Sequence, residues 1–418
     1  MTKRLILAFV FLSWHLVACS NGDSGISSGL PDKPSAEEDS PGTETISEEM
    51  RVKITGEDLY ISAKLDAKTD ILYWFKKCMF NELFTFYRVG TIDNNMPAPA
   101  TLPDAYPTSL LNLAYSDNIG PFNITGYGWC GGNHPYLDEV TQTARNIGYR
   151  IYIDGKEIKT DLSTLTKEIK IEVINEIMNP SKADTSSGKT LLNEILCIET
   201  VNYSIYRNNI QVLVTHEFQN ESPVTVQMYY GMQSMFDKET HTLTANGKYV
   251  DWTVQKDVST FTKKEYPSFR RFIEKSANAY QSSYLFADGL GNHEEISDDD
   301  IIFIGNSSNK TYHKIIADRE HKKGDIIHWS GVYTWFKSPV SDDDDLLCYE
   351  GVIDNKKVLF IDCKKSVDRT IQLPVNYTKK SFTIIEKSKS ITITGNKVTA
   401  KGLKIVSDGS GSCVITFD

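Results

Sequence analysis

Apolar and polar side chains alternate with a period of two along most of this chain. From Ile210 to Phe218 the even-numbered positions carry the apolar residues, with His216 among them and Glu217 on the opposite side. Asn220-Glu221-Ser222-Pro223 then turns the chain, and the alternation resumes from Val224 to Tyr230. Tyr149 to Ile153 leads into Asp154-Gly155, a type I′ hairpin signal, and Lys156 to Ile158 returns. Lys170 to Met178 and Leu191 to Tyr206 read as further long strands. A short helix is expected over Ser268 to Ala279. Strands do not alternate with amphipathic helices, which excludes a doubly wound α/β sheet.

Beyond Val352 the strands shorten: Lys357–Ile361, Thr370–Leu373, Phe382–Glu386, Ser390–Thr394, Leu403–Val406 and Val414–Phe417, with Pro374, Gly395-Asn396 and Asp408-Gly409 between them. This spacing predicts a small sandwich. The expected fold is all-β: a large antiparallel β-sandwich over residues 49–345, then a small C-terminal β-sandwich over 346–418.

The first residues carry a different signal. Lys3 and Arg4 precede an apolar run from Leu5 to Val17, which is too short to span a bilayer and has the layout of an export signal. Leu16-Val17-Ala18-Cys19 resembles a bacterial lipobox, which implies removal of residues 1–18 and lipid attachment at Cys19. Residues 20–48 are rich in Ser, Gly, Pro and acids and read as a flexible tether. The early acids Asp23, Glu37, Glu38 and Asp39 resemble the export tags of outer-surface lipoproteins in glycan-foraging bacteria. The expected location is therefore the outer membrane, facing the cell surface or the periplasm, with the lipid as the only membrane contact.

The 418 residues carry a net charge of −10 with no basic stripe, which argues against nucleic acid and against bulk attraction of polyanions, while leaving room for a local basic pocket. Setting Cys19 aside, six cysteines remain without a CxxC spacing, so no zinc cluster is expected. At most one or two disulfides are expected, with Cys363–Cys413 the first pair to test and the other cysteines read as small buried side chains. The acid runs Asp298–Asp300 and Asp342–Asp345 have oxygen ligands for Ca²⁺ but no EF-hand spacing, and read as solvated loops. No cofactor is expected. No phosphate loop, Gly-x-Ser-x-Gly elbow or His-Glu-x-x-His site is read.

The candidate chemistry centres on Gly126 to Arg145. Gly126, Gly128, Gly131 and Gly132 permit a tight loop carrying Trp129, Asn133, His134 and Tyr136, with Thr143-Ala144-Arg145 following. His134 suits proton transfer, Arg145 suits a carboxylate, and Trp129 and Tyr136 suit sugar faces. The plainer alternative has His134 capping a turn and Arg145 paired with Asp138 or Glu139. Tyr230 and Gln233 end a strand, and His293 sits in a second Gly-Asn-His loop. Trp329, Gly331, Tyr333 and Trp335 share one strand face, the geometry either of a sugar platform or of a core strand.

Long strands, a histidine on a buried face and the phrase Tyr229-Tyr230-Gly231-Met232-Gln233 resemble the β-supersandwich of galactose-mutarotase-type proteins, a fold shared by several polysaccharide lyases and hydrolases. The loop Gly131-Gly132-Asn133-His134 with its downstream hairpin is similar to a pattern in bacterial and phage surface proteins that act on polymers. Two sugar-directed functions follow as expectations, beside a third in which the protein is a structural or adhesive surface protein with no small ligand. The first is a lipid-anchored extracytoplasmic lyase or hydrolase of polysaccharide, with His134, Arg145, Tyr230 and His293 catalytic and Trp129, Asn133, Tyr136, Gln233, Trp329 and Trp335 holding substrate. The second is a surface glycan-binding lipoprotein using the same rings without catalysis.

Overall fold

In a computed structural model the chain from Thr45 onward is one compact unit. The structure describes residues 46–102, 119–235, 241–244, 246–251, 259–261, 271–277, 279–286, 302–305 and 310–417. Cys19, residues 20–45 of the tether, His293 and Asp298–Asp300 lie outside the described residues.

The fold is all-β, and every ladder is antiparallel. Among the described residues, two short 3-10 turns at Pro180–Lys182 and Val375–Tyr377 are the only helical elements. A central ten-stranded sheet runs from Lys156–Ile158 at one edge to Tyr249–Asp251 at the other, with Asn209–Phe218 and Ile326–Phe336 in its middle. An N-terminal five-stranded sheet holds Met50–Thr55, Asp58–Lys64, Thr69–Cys78, Leu83–Asp93 and Leu162–Thr166. A six-stranded sheet includes Ile119–Ile124, Gly128–Cys130, Val224–Met235 and Lys310–His321.

Both smaller sheets pack on one face of the central sheet, because its alternating side chains are aromatic there. Trp335 meets Tyr73 at 5.5 Å between ring centroids and Tyr333 meets Phe86 at 5.4 Å, which joins the N-terminal sheet. Trp329 donates its indole N–H to the Tyr229 hydroxyl at 2.8 Å, and Phe122 stands edge-on to His216 at 4.9 Å, which joins the six-stranded sheet. Each such ring pair adds about 0.5–1.5 kcal/mol beyond its buried area.

The opposite face of the central sheet meets the C-terminal region: Phe336 stacks on Tyr349 at 4.3 Å and Tyr284 leans on Phe360 at 5.4 Å. The strand Leu346–Ile353 is buried on both faces. Leu347 and Tyr349 face the central sheet, while Leu346 and Cys348 enter the core of the small sandwich with Ile371, Ile391 and Ile405. At this point the protein is four sheets deep.

The hairpin at Asp154-Gly155 forms as expected, with φ of 47° and 77°, the positive pair that a type I′ turn needs. The helix expected over Ser268–Ala279 is not formed. Its described part is the strand Arg271–Lys275, which pairs with Tyr280–Leu285. Arg271, Phe272, Ile273 and Glu274 are all buried, so both faces of that strand are covered and no period of two appears in the sequence.

The Cys363–Cys413 disulfide is also not formed, and the six described cysteines are buried thiols in no disulfide. Cys413 sits opposite Ile361 and Cys363 opposite Gly411, so the two thiols are diagonal across the ladder. Diagonal pairs are about 7–8 Å apart, beyond the reach of a disulfide.

Candidate functional site

The strand Gly128–Cys130 pairs with Ile119–Ile124 and sets Trp129 beside Asn123. Period-two geometry sends Phe122 and Ile124 into the core and leaves Asn123 and Trp129 half-buried on the outer face. Tyr229 and Tyr230 divide in the same way. Tyr229 is fully buried against Phe122, whereas Tyr230 is half-buried with its ring 5.6 Å from Trp129. Gly120 makes this possible, since a Cβ there would overlap the Tyr230 carbonyl oxygen and come within 2.7 Å of its ring.

After Cys130 the chain turns through Gly131 and Gly132 at φ of 80° and 56°, two successive left-handed residues that glycine adopts without strain. The turn is clamped to the N-terminal sheet. Asn81 donates to the Gly132 carbonyl at 2.8 Å, and the Asn133 side chain accepts from the Leu83 N–H at 3.3 Å. The chain then brings Tyr136 back over Trp129, 6.2 Å between centroids, with the His134 ring 5.7 Å from Tyr136. Tyr312, from the neighbouring strand, meets Tyr230 at 4.6 Å and extends the row.

Five rings thus run in continuous contact: His134, Tyr136, Trp129 and Tyr230 are half-buried on the outer face of the six-stranded sheet, and Tyr312, buried at 9 % exposure, backs Tyr230. Four of them were expected from the sequence. Tyr312 was missed, although Tyr312-His313-Lys314 alternates as a strand does. Such a surface can stack against pyranose rings, with an imidazole at one end.

Other expected site residues lie elsewhere. Asn133 is fully buried and serves as the clamp just described, so it is a positioning residue. Arg145 is exposed and pairs with Glu176 across the central sheet rather than with Asp138 or Glu139. Asp138 closes its own turn, accepting from the Val140 and Thr141 N–H groups at 2.9 and 2.6 Å, and these bonds hold its carboxyl down to about 2.

Gln233 is buried at 1 % exposure, and neither its amide nitrogen nor its oxygen has a hydrogen-bond partner among the described residues. Trp329 and Trp335 are at 0 % exposure and belong to the core, so the sugar-platform reading of that strand does not hold. Their small neighbours explain the pattern: a side chain at Gly331 would clash with Met232 and the Tyr284 carbonyl, and one at Gly231 would meet Trp329 at 2.7 Å.

His216 is a buried interior histidine partnered at one ring nitrogen, its Nδ1 having no hydrogen-bond partner among the described residues. Its Nε2 lies 2.9 Å from Glu199, which accepts from Asn175 at 2.8 Å, while Glu217 is exposed.

The acid run Asp342–Asp345 is engaged by cations of the protein: Lys275 and Lys364 on Asp342, Arg369 on Asp343 and Lys365 on Asp345. Among the described residues no group of three or more His, Cys, Asp or Glu is placed to hold a metal. The sequence reading passed over Gly188-Lys189-Thr190, the tail of a phosphate-loop pattern. It lies between the paired strands Ala183–Asp184 and Leu191–Leu192, not between a strand and a helix, so no phosphate cradle forms.

No family model matches this chain, and no curated protein matches it in sequence. Among solved structures it is similar to the GH36 α-galactosidase AgaB from Geobacillus stearothermophilus, with a TM-score of 0.41, 9% identity, and 69% of this chain against 41% of that one. It is similar to the galactosidase domain of the α-galactosidase-sucrose kinase AgaSK at a TM-score of 0.37 and 10% identity, over 66% of this chain and 40% of that one. It is also similar to a glycoside hydrolase family 97 enzyme from Pseudoalteromonas sp. strain K8, in complex with acarbose, at a TM-score of 0.34 and 7% identity, over 70% of this chain and 37% of that one. The chain thus spans about two fifths of the length of these neighbours.

Proposed function

We propose that this protein is a lipid-anchored, extracytoplasmic carbohydrate-binding protein that holds a sugar chain across the outer face of its six-stranded sheet. The observation that carries the reading is the continuous row His134, Tyr136, Trp129, Tyr230 and Tyr312. Trp129 is central to it, in ring contact with both Tyr136 and Tyr230. A clamped glycine turn and a glycine beneath Tyr230 hold the rings in place, so little side-chain entropy is lost on binding. The lipobox at Cys19 and the tether of residues 20–48 support an exported protein that reaches outward from a membrane.

The test is electrophoresis through gels containing neutral polysaccharides, among them galactan, mannan, xylan and soluble starch. Retardation on at least one is expected, and Trp129→Ala is expected to weaken it by tenfold or more, as loss of a stacking ring does in water. Equal retardation of Trp129→Ala, Tyr230→Ala and the parent, or none on any polymer, refutes the reading.

His134 at the end of the row favours a second reading, in which the bound chain is cleaved by a lyase or hydrolase mechanism with this imidazole moving the proton. Release of reducing ends or unsaturated products by the parent, abolished in His134→Ala with binding retained, distinguishes it.

A further inference from the structure

The strand registers place one polar side chain among the rings of the six-stranded sheet. Asn123 pairs with Trp129 on one side and with Met228 on the other. Residues directly opposite in an antiparallel pair point to the same face, with Cβ atoms about 4.5–5.5 Å apart. The inward set fixes which face that is: Phe122 pairs with Cys130 and with Tyr229, and all three are fully buried. Asn123 therefore points outward, half-buried, between Trp129 and Met228. Tyr230 lies two residues beyond Met228 on the same face, so it is diagonal to Asn123. Because the Trp129 and Tyr230 rings are themselves 5.6 Å apart, Asn123 stands at the rim of the surface they make.

The fold does not explain an asparagine at this position. Asn is depleted in strands and is usually found at turns and caps, where its side chain bonds the neighbouring backbone. Asn123 is the fifth residue of the strand Ile119–Ile124 and is laddered on both sides, so it serves no turn or cap. Its amide makes no hydrogen bond to a described residue. The asparagines of the nearby glycine turn differ: Asn81 donates to the Gly132 carbonyl at 2.8 Å, and Asn133 accepts from the Leu83 N–H at 3.3 Å.

A carboxamide presents a donor and an acceptor side by side in one plane. Two hydroxyls on neighbouring carbons of a sugar offer the matching acceptor and donor. A pyranose stacked on an indole turns its C–H face to the ring and projects hydroxyls at the rim, which is where Asn123 is placed. Stacking holds many sugars alike, whereas a placed polar group fixes orientation and rejects a ligand that lacks the matching hydroxyls.

We propose that Asn123 is the specificity-determining residue of the sugar row. It reads a pair of free hydroxyls on neighbouring carbons of the pyranose that stacks on Trp129, and the ligand class is glycans that keep such a pair unsubstituted. The proposal rests on the stacking reading of the row and names what that reading leaves open.

The experiment is affinity electrophoresis of the full chain with galactan, mannan, xylan and soluble starch, each native and O-methylated. Methylation keeps the sugar rings but removes the hydroxyl protons. The parent should bind at least one native polymer about tenfold more tightly than its methylated form, the contribution of two neutral hydrogen bonds. Asn123→Val suits a strand and should leave the urea midpoint equal or higher, yet bring the native-to-methylated ratio close to one; Asn123→Ala should bring the ratio to the same value. Trp129→Phe keeps a smaller ring and should weaken both forms while preserving the ratio. The proposal is overturned if the Asn123 variants keep the parent's ratio, if the parent binds both forms alike, or if binding is lost only together with a lowered urea midpoint. Retardation that depends on Trp129 but not on Asn123 removes this proposal and leaves the stacking reading standing; no retardation on any polymer removes both.

Discussion

Glu274 sits on the strand Arg271–Lys275 at 0 % exposure, between the central sheet and the six-stranded sheet. One oxygen accepts from the Thr311 hydroxyl at 3.4 Å, and Ser234 also bonds the carboxyl; the other oxygen has no partner among the described residues. Burial outweighs these two bonds and pushes the carboxyl from its ordinary 4.5 up to about 8. The folded protein therefore keeps a proton that the unfolded chain releases near pH 4.5, and stability must fall as pH rises from there through about 8. At about 1.4 kcal/mol for each tenfold change in proton affinity, full ionisation removes up to about 5 kcal/mol. Glu274→Gln keeps the shape and the accepting oxygen but has no proton to lose. Urea unfolding of parent and variant at pH 5.5, 7 and 9 measures the difference. The variant should gain on the parent by on the order of 3 kcal/mol between the first and last pH. Parallel stability profiles over that range would show that Glu274 is solvated or paired in solution and would refute the reasoning.

His321 predicts the opposite slope at lower pH. Burial beside the Phe218 ring, stacked at 4.3 Å, pushes its imidazole from 6.5 down to about 4, so the unfolded chain binds the extra proton and stability falls as pH drops from 6.5 toward 4. His321→Phe keeps the stacking and should remove up to about 3 kcal/mol of that loss, read by the same unfolding titration; an unchanged acid slope excludes His321 as its source. Gly120→Ala should cost about 1–3 kcal/mol through overpacking against Tyr230 and weaken glycan retardation with it. Gly148→Ala, where a Cβ meets nothing within 4 Å, should leave both unchanged, and equal effects of the two would mean that the close approach at Gly120 is not what positions Tyr230.

The strands were legible because most of them bury one face, and a one-sided strand announces itself in a period of two. Asn209–Phe218 lies within a residue of its expected bounds, and the short C-terminal strands appear within about three residues of theirs. The signal fails where both faces are covered. Arg271–Lys275 buries a cation, two apolar residues and an acid in succession, and that run resembles neither a strand nor a loop. The cysteine pair failed for a related reason: membership of one small core says nothing about register, and register placed Cys363 and Cys413 diagonally.

The aromatic residues show the same limit at the level of function. Alternation told which rings share a face, but not whether another sheet would cover it. The Trp329 strand runs through the middle of a ten-stranded sheet with layers on both sides, so its tryptophans became interior packing and Gly331 became space for Met232 and the Tyr284 carbonyl. The six-stranded sheet uses one face against that centre and turns the other outward, while the outer face of the N-terminal sheet is partly covered, with Tyr60, Leu72 and Leu102 buried there. Trp129 is on the outward face of the six-stranded sheet, held half-buried beside a clamped glycine turn rather than in a core. Holding a large aromatic ring rigid while leaving part of it in water forgoes some of the stabilisation that full burial would give. The proposed sugar row accounts for that loss at Trp129.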